Sequence, residues 1–132
     1  MKILGYVMAK NEWPLLGLSI IHALENFVDH LIVIDHNSTD DTHKGLACIK
    51  QVYKEKITIY KLDHDDYHQR STSIYYLSNI DLVNFDWIYI FDADEFILFK
   101  NKSMVKKELS LLPENIDILR YQIDNWIVPE DF

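Results

Sequence analysis

Apolar and polar residues fall into blocks along this chain, and the blocks differ in period. Residues 2–9, KILGYVMA, are a short and almost unbroken apolar run, which predicts a strand covered on both faces. Residues 11–27 change period. Leu15, Leu18, Ile21, Leu24 and Glu25 mark most of a stripe at three- and four-residue spacing, which predicts a helix buried along that stripe. Pro14 suits its first turn, where a missing N–H costs nothing, and Asn11 is a candidate cap. HLIVID, residues 30–35, reads as a second buried strand. The turn NSTDDT follows, with Ser38, Thr39 and Asp40 as candidate caps for a second helix over 43–54. KITIYKLD, 56–63, alternates as a third strand does.

Residues 65–80 then read as a helix, 86–92 as a fourth strand and 95–99 as a short fifth. A helix over 103–113 with Ser103 as cap and a last strand over 116–128 complete the pattern. No internal repeat and no linker breaks it. This regular exchange of strand and helix is the mark of βαβ units. It predicts an α/β fold, a mostly parallel sheet flanked by helices on both faces, in one domain over residues 1–132.

Ligands of such sheets bind at the carboxyl ends of the strands. In this chain those ends read Lys10-Asn11-Glu12, Asp35-His36-Asn37, Asp63-His64-Asp65-Asp66 and Asp92-Ala93-Asp94. All four bear acids, and a parallel sheet would gather them on one edge. Merely solvating acids would be scattered along helices instead.

Composition narrows what that edge can bind. With 48% apolar and 13% aromatic residues, the chain can bury a real core. Its net charge of −8, from 21 acids against 13 bases, argues against a nucleic-acid partner, which calls for a basic stripe. Acids would also repel phosphates unless a divalent cation stands between them. A lone cysteine, Cys48, excludes an internal disulfide and a multi-Cys zinc site, and its Leu-Ala-Cys-Ile setting predicts burial in a helix. No run of about eighteen apolar residues is present, and Met1–Met8 lacks a secretory pattern. No Gly-rich phosphate loop and no Ser-His-Asp relay is found, which argues against P-loop and hydride-transfer chemistry.

The chemistry therefore centres on Asp92 and Asp94. Two carboxylates two residues apart, on chain leaving a strand, offer hard oxygens suited to Mg2+ or Mn2+, ions that keep waters and accept substrate phosphates. The plainer alternative is an acidic turn between hairpin strands. Asp35 at its strand end can accept hydrogen bonds from a base or a ribose. Arg70 could pair with phosphate or simply face solvent. His22 reads as a helix-face residue, and His30, His43, His64 and His68 as loop or surface positions without metal-ligand spacing. Tyr67, Tyr75, Tyr76, Trp87 and Trp126 read mainly as core or interface aromatics.

Taken in order, Lys10-Asn11-Glu12, VIDHNSTDDT (33–42) and IFDADEF (90–96) resemble the family 2 glycosyltransferases of GT-A fold, over Met1 to about Phe99. The resemblance implies a metal-dependent transferase that moves a sugar from a nucleotide-diphosphate sugar to a saccharide or lipid-linked hydroxyl acceptor. It implies that Asn11 and Glu12 line the nucleotide pocket and that Asp35 and His36 sit near the base. Arg70 occupies the place of a basic residue in the helix before the metal motif. Asp92 approaches the ribose or metal waters, and Asp94 ligates Mn2+ or Mg2+. Many members carry two acids where this chain has Asp35-His36, so a UDP-sugar is a default. Family domains usually continue past residue 132 into an acceptor-side region with the catalytic base, so the chain reads as the donor-binding half. Asp124, Glu130 and Asp131 match no base motif. The resemblance also implies a cytoplasmic enzyme, or one peripheral to the membrane, in surface polysaccharide synthesis, and a truncated sheet that could pair with a second copy. Two other readings stand beside it. One is a non-catalytic GT-A-like module that binds a nucleotide or a protein partner. The other is a metal-dependent phosphoesterase, disfavoured because Asn37 stands where an Asp-His-His motif needs a second His.

Overall fold

Two neighbouring strands bury every side chain but one. In the computed structural model, which describes residues 1–98 and 104–120, β1 (Ile3–Ala9) is buried throughout and β2 (His30–His36) is buried after its first residue. These are the central strands of a sheet with order β3-β2-β1-β4, in which β3 is Ile57–Leu62 and β4 is Trp87–Phe91. Every pairing is parallel. A central parallel strand has helices over both faces, so its sequence cannot alternate. Edge strand β4 does alternate. Ile88 and Ile90 of β4 are exposed while Phe91 is buried.

Helices α1 (Leu15–Asn26) and α2 (Thr42–Tyr53) cover one face, where Val7, Leu16, Ile20, Val33, Leu46 and Phe91 form the larger core. The other face is smaller. There Tyr6, Met8, Ile32 and Ile34 meet Tyr76 and Leu77 of α3 (Gln69–Ser78). A short α4 (Met104–Ser110) is the last regular element among the described residues, and its Lys106 holds Asp29 at 2.6 Å.

The sequence expectations hold for four strands and four helices, with corrections. Helix α1 begins at Leu15, not near residue 11, because Asn11 takes a left-handed step (φ 56°) and Pro14 stands just ahead of the helix. Its buried face is Leu16, Ile20, Ala23 and Leu24, whereas Leu15, Leu18 and Ile21 face outward. The period was legible but its phase was not, since this helix is apolar on most sides. Cys48 is exposed, because the buried face of α2 runs through Thr42, Gly45, Leu46 and Ile49. Residues 95–98 form no strand. Glu95 turns back to bond Asp92, and the Ile97 carbonyl accepts from His22 Nε2 at 2.9 Å instead of from a ladder. The helix expected over 65–80 is confined to α3. Residues 116–120 are not in a strand, and 121–128, Phe99, Ser103 and Trp126 lie outside the described residues.

One aromatic side chain locks α1 to α2. The Trp13 indole lies over Gly17 of α1 and Gly45 of α2. A Cβ on Gly17 would come to 2.7 Å of the ring, and one on Gly45 would overlap it. In an ordinary helix Gly→Ala stabilises by about 0.5–1 kcal/mol. Here Gly45→Ala is expected to destabilise by about 1–3 kcal/mol in urea unfolding, through overpacking. In a Trp13→Ala background the same change should become neutral or stabilising. Cys48 is expected to react with an aromatic disulfide reagent at full stoichiometry without denaturant.

Candidate functional site

An all-parallel ladder delivers its four carboxyl ends to one edge, and the register fixes how they sit. Ala9 pairs with Asp35, and Asp35 with Lys61, so the first three loops leave the sheet at nearly one level. The β1–β4 ladder ends at Val7 and Phe91, one step before Asp92. Helices α1 and α2 pack on one face and α3 on the other. The connections therefore part between β1 and β4, which opens a crevice at the topological switch point.

The β1–β2 bank is a continuous chain of hydrogen bonds. Asp35, buried at 1% exposure, accepts from the Ser38 N–H through Oδ1 at 3.0 Å. The Ser38 hydroxyl accepts from the Asn11 N–H at 3.0 Å. Asn11 Oδ1 in turn accepts from the N–H groups of Thr39 at 2.7 Å and Asp40 at 3.3 Å. Asp40 accepts from the Trp13 N–H at 3.3 Å and the Thr42 N–H at 2.9 Å. Asn11 is thus no cap for α1. It braces the loop after the neighbouring strand. Asp40 serves the start of α2 through its carboxylate, although the cap position itself is Asp41. Asp35 Oδ2 is buried with no hydrogen-bond partner. An orphan of this kind costs about 1–3 kcal/mol and makes a ready acceptor. His36 is equally buried. Its Nε2 donates to the Asp66 carbonyl at 3.1 Å, and its Nδ1 is unpartnered.

The β4 bank carries Asp92 and Asp94, both exposed, on either side of Ala93, which is buried at 1%. With Ala93 held in the core, its two neighbours are turned outward. The Asp92 N–H donates to Glu95 at 3.1 Å. Among the described residues neither the Asp92 nor the Asp94 carboxylate has a hydrogen-bond or ion-pair partner. Glu12 faces them from the β1 side. Its pKa is raised by partial burial, then by the Asp94 charge and then by the Asp92 charge. Acids at the opposite edge behave differently. Asp29 accepts from the Ile3 N–H at 2.8 Å and Asp86 from the Lys2 N–H at 2.6 Å, which ties β1 to its neighbours. At the carboxyl edge Asp35, Asp40 and Asp65 also hold loops, whereas the side chains of Asp92 and Asp94 have no such task.

Glu12, Asp92 and Asp94 share an acidic field, and a divalent cation placed among them would relieve its repulsion. Among the described residues no group of three or more His, Cys, Asp or Glu side chains is arranged to hold a metal ion.

The other sequence-predicted residues stand further out. Arg70 is exposed in the first turn of α3, without an ion pair among the described residues. It lines an open hollow of about 500 Å3 with His68, Gln69, Ser71 and Ile74. Asp63 is exposed. His22 lies on α1 as expected, and His30 opens β2, where its Nε2 meets the Thr58 hydroxyl at 2.9 Å. Tyr67 and Tyr75 are exposed, whereas Tyr76 and Trp87 are partly buried against the core. Asp124, Glu130 and Asp131 lie outside the described residues. Sequence reasoning missed the roles of Ser38 and Trp13 in fixing the loops, because hydrogen bonds across 27 residues leave no local pattern.

No protein-family model matches the chain, and no curated protein matches it at significance. Its fold is similar to that of solved glycosyltransferases. The mannosyltransferase PcManGT from Pyrobaculum calidifontis, in complex with GDP-Man and Mn2+, aligns with a TM-score of 0.57 at 18% identity, over 70% of this chain and 27% of that one. S. aureus TarS 1-349, in complex with UDP-GlcNAc, aligns with a TM-score of 0.63 at 17% identity, over 83% of this chain and 30% of that one. A second TarS structure, with UDP, gives 0.56 at 19% identity, over 83% and 31%. The chain thus spans less than a third of the length of these neighbours. The parallel sheet with helices on both faces is of the GT-A type that they share.

The acid field has a sign that can be measured. Glu12 titrates above its ordinary range, so its ionised form opposes folding. That penalty is present in full above the folded-state pKa. It disappears as pH falls toward the unfolded value of about 4.3. In chelator at neutral pH, Glu12→Gln is expected to raise the melting temperature, and the gain should vanish near pH 4.

Proposed function

We propose that this chain binds a nucleoside-diphosphate sugar at the carboxyl edge of its sheet and, with Mn2+ or Mg2+, transfers the sugar to a hydroxyl acceptor. The observation that carries this reading is the set of three carboxylates, Glu12, Asp92 and Asp94, around the crevice between β1 and β4. Carboxylates with no structural partner, gathered at the switch point of a GT-A-type sheet, suit a cation that binds diphosphate. The neighbours solved with GDP-Man and Mn2+ and with UDP-GlcNAc support a ligand of that class.

Within this reading Asp94 ligates the ion, and Asp92 binds it directly or through its waters. Glu12 completes the acidic bank. The bound ion supplies positive charge that offsets the charge developing on the leaving nucleoside diphosphate. Asp35 accepts from the base or ribose through its orphan Oδ2, with His36 beside it. Asn11 shapes the nucleotide pocket by holding residues 38–40 in place. Arg70 approaches the phosphates from α3. UDP is the default nucleotide, and a saccharide or lipid-linked hydroxyl in surface polysaccharide synthesis is the acceptor class. The chain supplies the donor-binding part of such an enzyme. The base that deprotonates the acceptor is assigned to no residue.

A second reading is a GT-A-like module that binds a nucleotide without transferring sugar.

Calorimetric titration of UDP, and separately of GDP, in Mn2+ and in chelator tests the shared core of both readings. Binding is expected in Mn2+ and should be lost in chelator. Asp94→Asn is expected to remove the metal-dependent part with little change in melting temperature. Unchanged metal-dependent binding in that variant would refute the metal assignment. Release of free UDP from a UDP-sugar, or its absence with every acceptor tried, then separates transferase from module.

A further inference from the structure

The segment that joins β3 to α3 is held by polar clamps and not by apolar burial. Residues 63–68 are all exposed. Yet the carboxylate of Asp65 is gripped from two strand ends. Lys10, after β1, donates to its Oδ1 at 2.7 Å, and Asn37, after β2, donates to the same oxygen at 3.1 Å. The next carbonyl, that of Asp66, accepts from His36 Nε2 at 3.1 Å. The buried His36 ring lies 5.8 Å from that of His64 and 5.2 Å from that of Tyr67. The segment is strapped across the ends of β1 and β2.

What the strap delivers is Tyr67. With 56% of its surface exposed, the ring rests on His36 and leaves the rest open to a ligand. Its phenol stands in the field of Asp92 and Glu12, the carboxylates on the two banks of the β1–β4 crevice. A phenol is neutral at ordinary pH, so Tyr67 is a hydrogen-bond donor set among acids. Lys10, the base that follows β1, is committed to Asp65. A group bearing phosphate oxygens in the crevice would find in Tyr67 a donor that the acids cannot supply.

We propose that Tyr67 contacts the ligand of this site, donating its phenol hydrogen to the diphosphate of the bound nucleotide, and that Asp65 is a positioning residue that acts through Tyr67. This rests on the nucleotide-sugar reading above. Tyr67→Phe keeps the ring and removes only the donor. Asp65→Asn weakens the clamp from Lys10 while keeping a similar shape. The test titrates UDP and GDP, each with Mn2+, into the wild-type chain, both single variants and the double variant.

Tyr67→Phe is expected to weaken nucleotide binding about tenfold, as for loss of a hydrogen bond to a charged group, with an unchanged melting temperature. Asp65→Asn is expected to weaken binding in the wild-type background and to add nothing in the Tyr67→Phe background, because both changes remove one interaction. Wild-type affinity in Tyr67→Phe would overturn the ligand contact and leave the nucleotide-sugar reading intact. An Asp65→Asn loss of equal size in both backgrounds would overturn its action through Tyr67. A wild-type chain that binds neither nucleotide would overturn this inference together with the reading on which it rests.

Discussion

Parallel pairing is the constraint on which everything else depends. A strand that runs parallel to its neighbour cannot turn straight back into the ladder. Each connection must cross over a face of the sheet, and all four strands then end on the same side. In this chain that side collects Glu12, Asp35, Asp92 and Asp94 from segments as much as 82 residues apart in numbering, from Glu12 to Asp94. The opposite edge also carries acids, but Asp29 and Asp86 accept backbone N–H groups there and belong to the scaffold. Asp35 likewise accepts the Ser38 N–H, so the acids that differ from the scaffold in their partners are Asp92 and Asp94.

The two banks of the crevice are built in different ways. On the β1–β2 side, Asn11, Ser38, Asp35 and Asp40 bond one loop to the next, and Trp13 wedges the two following helices against each other. That bank is over-determined, since several bonds would have to break together for it to shift. On the β4 side, the buried Ala93 and the Glu95 turn hold Asp92 and Asp94. A firm wall faces a short acidic turn. Across the gap the charges of Asp94 and Asp92 act on Glu12 and, after its partial burial, raise its pKa.

The third side of the crevice has neither apolar packing nor regular structure to hold it. Residues 63–68 rely on His36, the last residue of β2, and on Lys10 and Asn37, which directly follow the two central strands. Such polar straps are more easily opened than a packed helix, because each bond is exchanged for one to water at small net cost. They place a side chain accurately without adding to the core.

The sequence by itself determined the strand and helix order, the parallel fold class and the edge on which the acids gather. Those follow from period and order, which are local properties of a chain: unbroken apolar runs for β1 and β2, and acids at the residues that follow each strand. It did not determine which stripe of α1 meets the sheet. That helix is apolar on most sides, and only packing selects Leu16, Ile20, Ala23 and Leu24 as its buried face. It did not show that Cys48 looks outward, because one face of α2 is chosen by its contacts with α1 and the sheet. Nor did it separate Asn11 the cap from Asn11 the brace, or show that Asp65 is clamped and that Tyr67 rests on His36. Those contacts join residues 27–55 positions apart. Only the tertiary structure brings such partners together, and no spacing in the sequence encodes them.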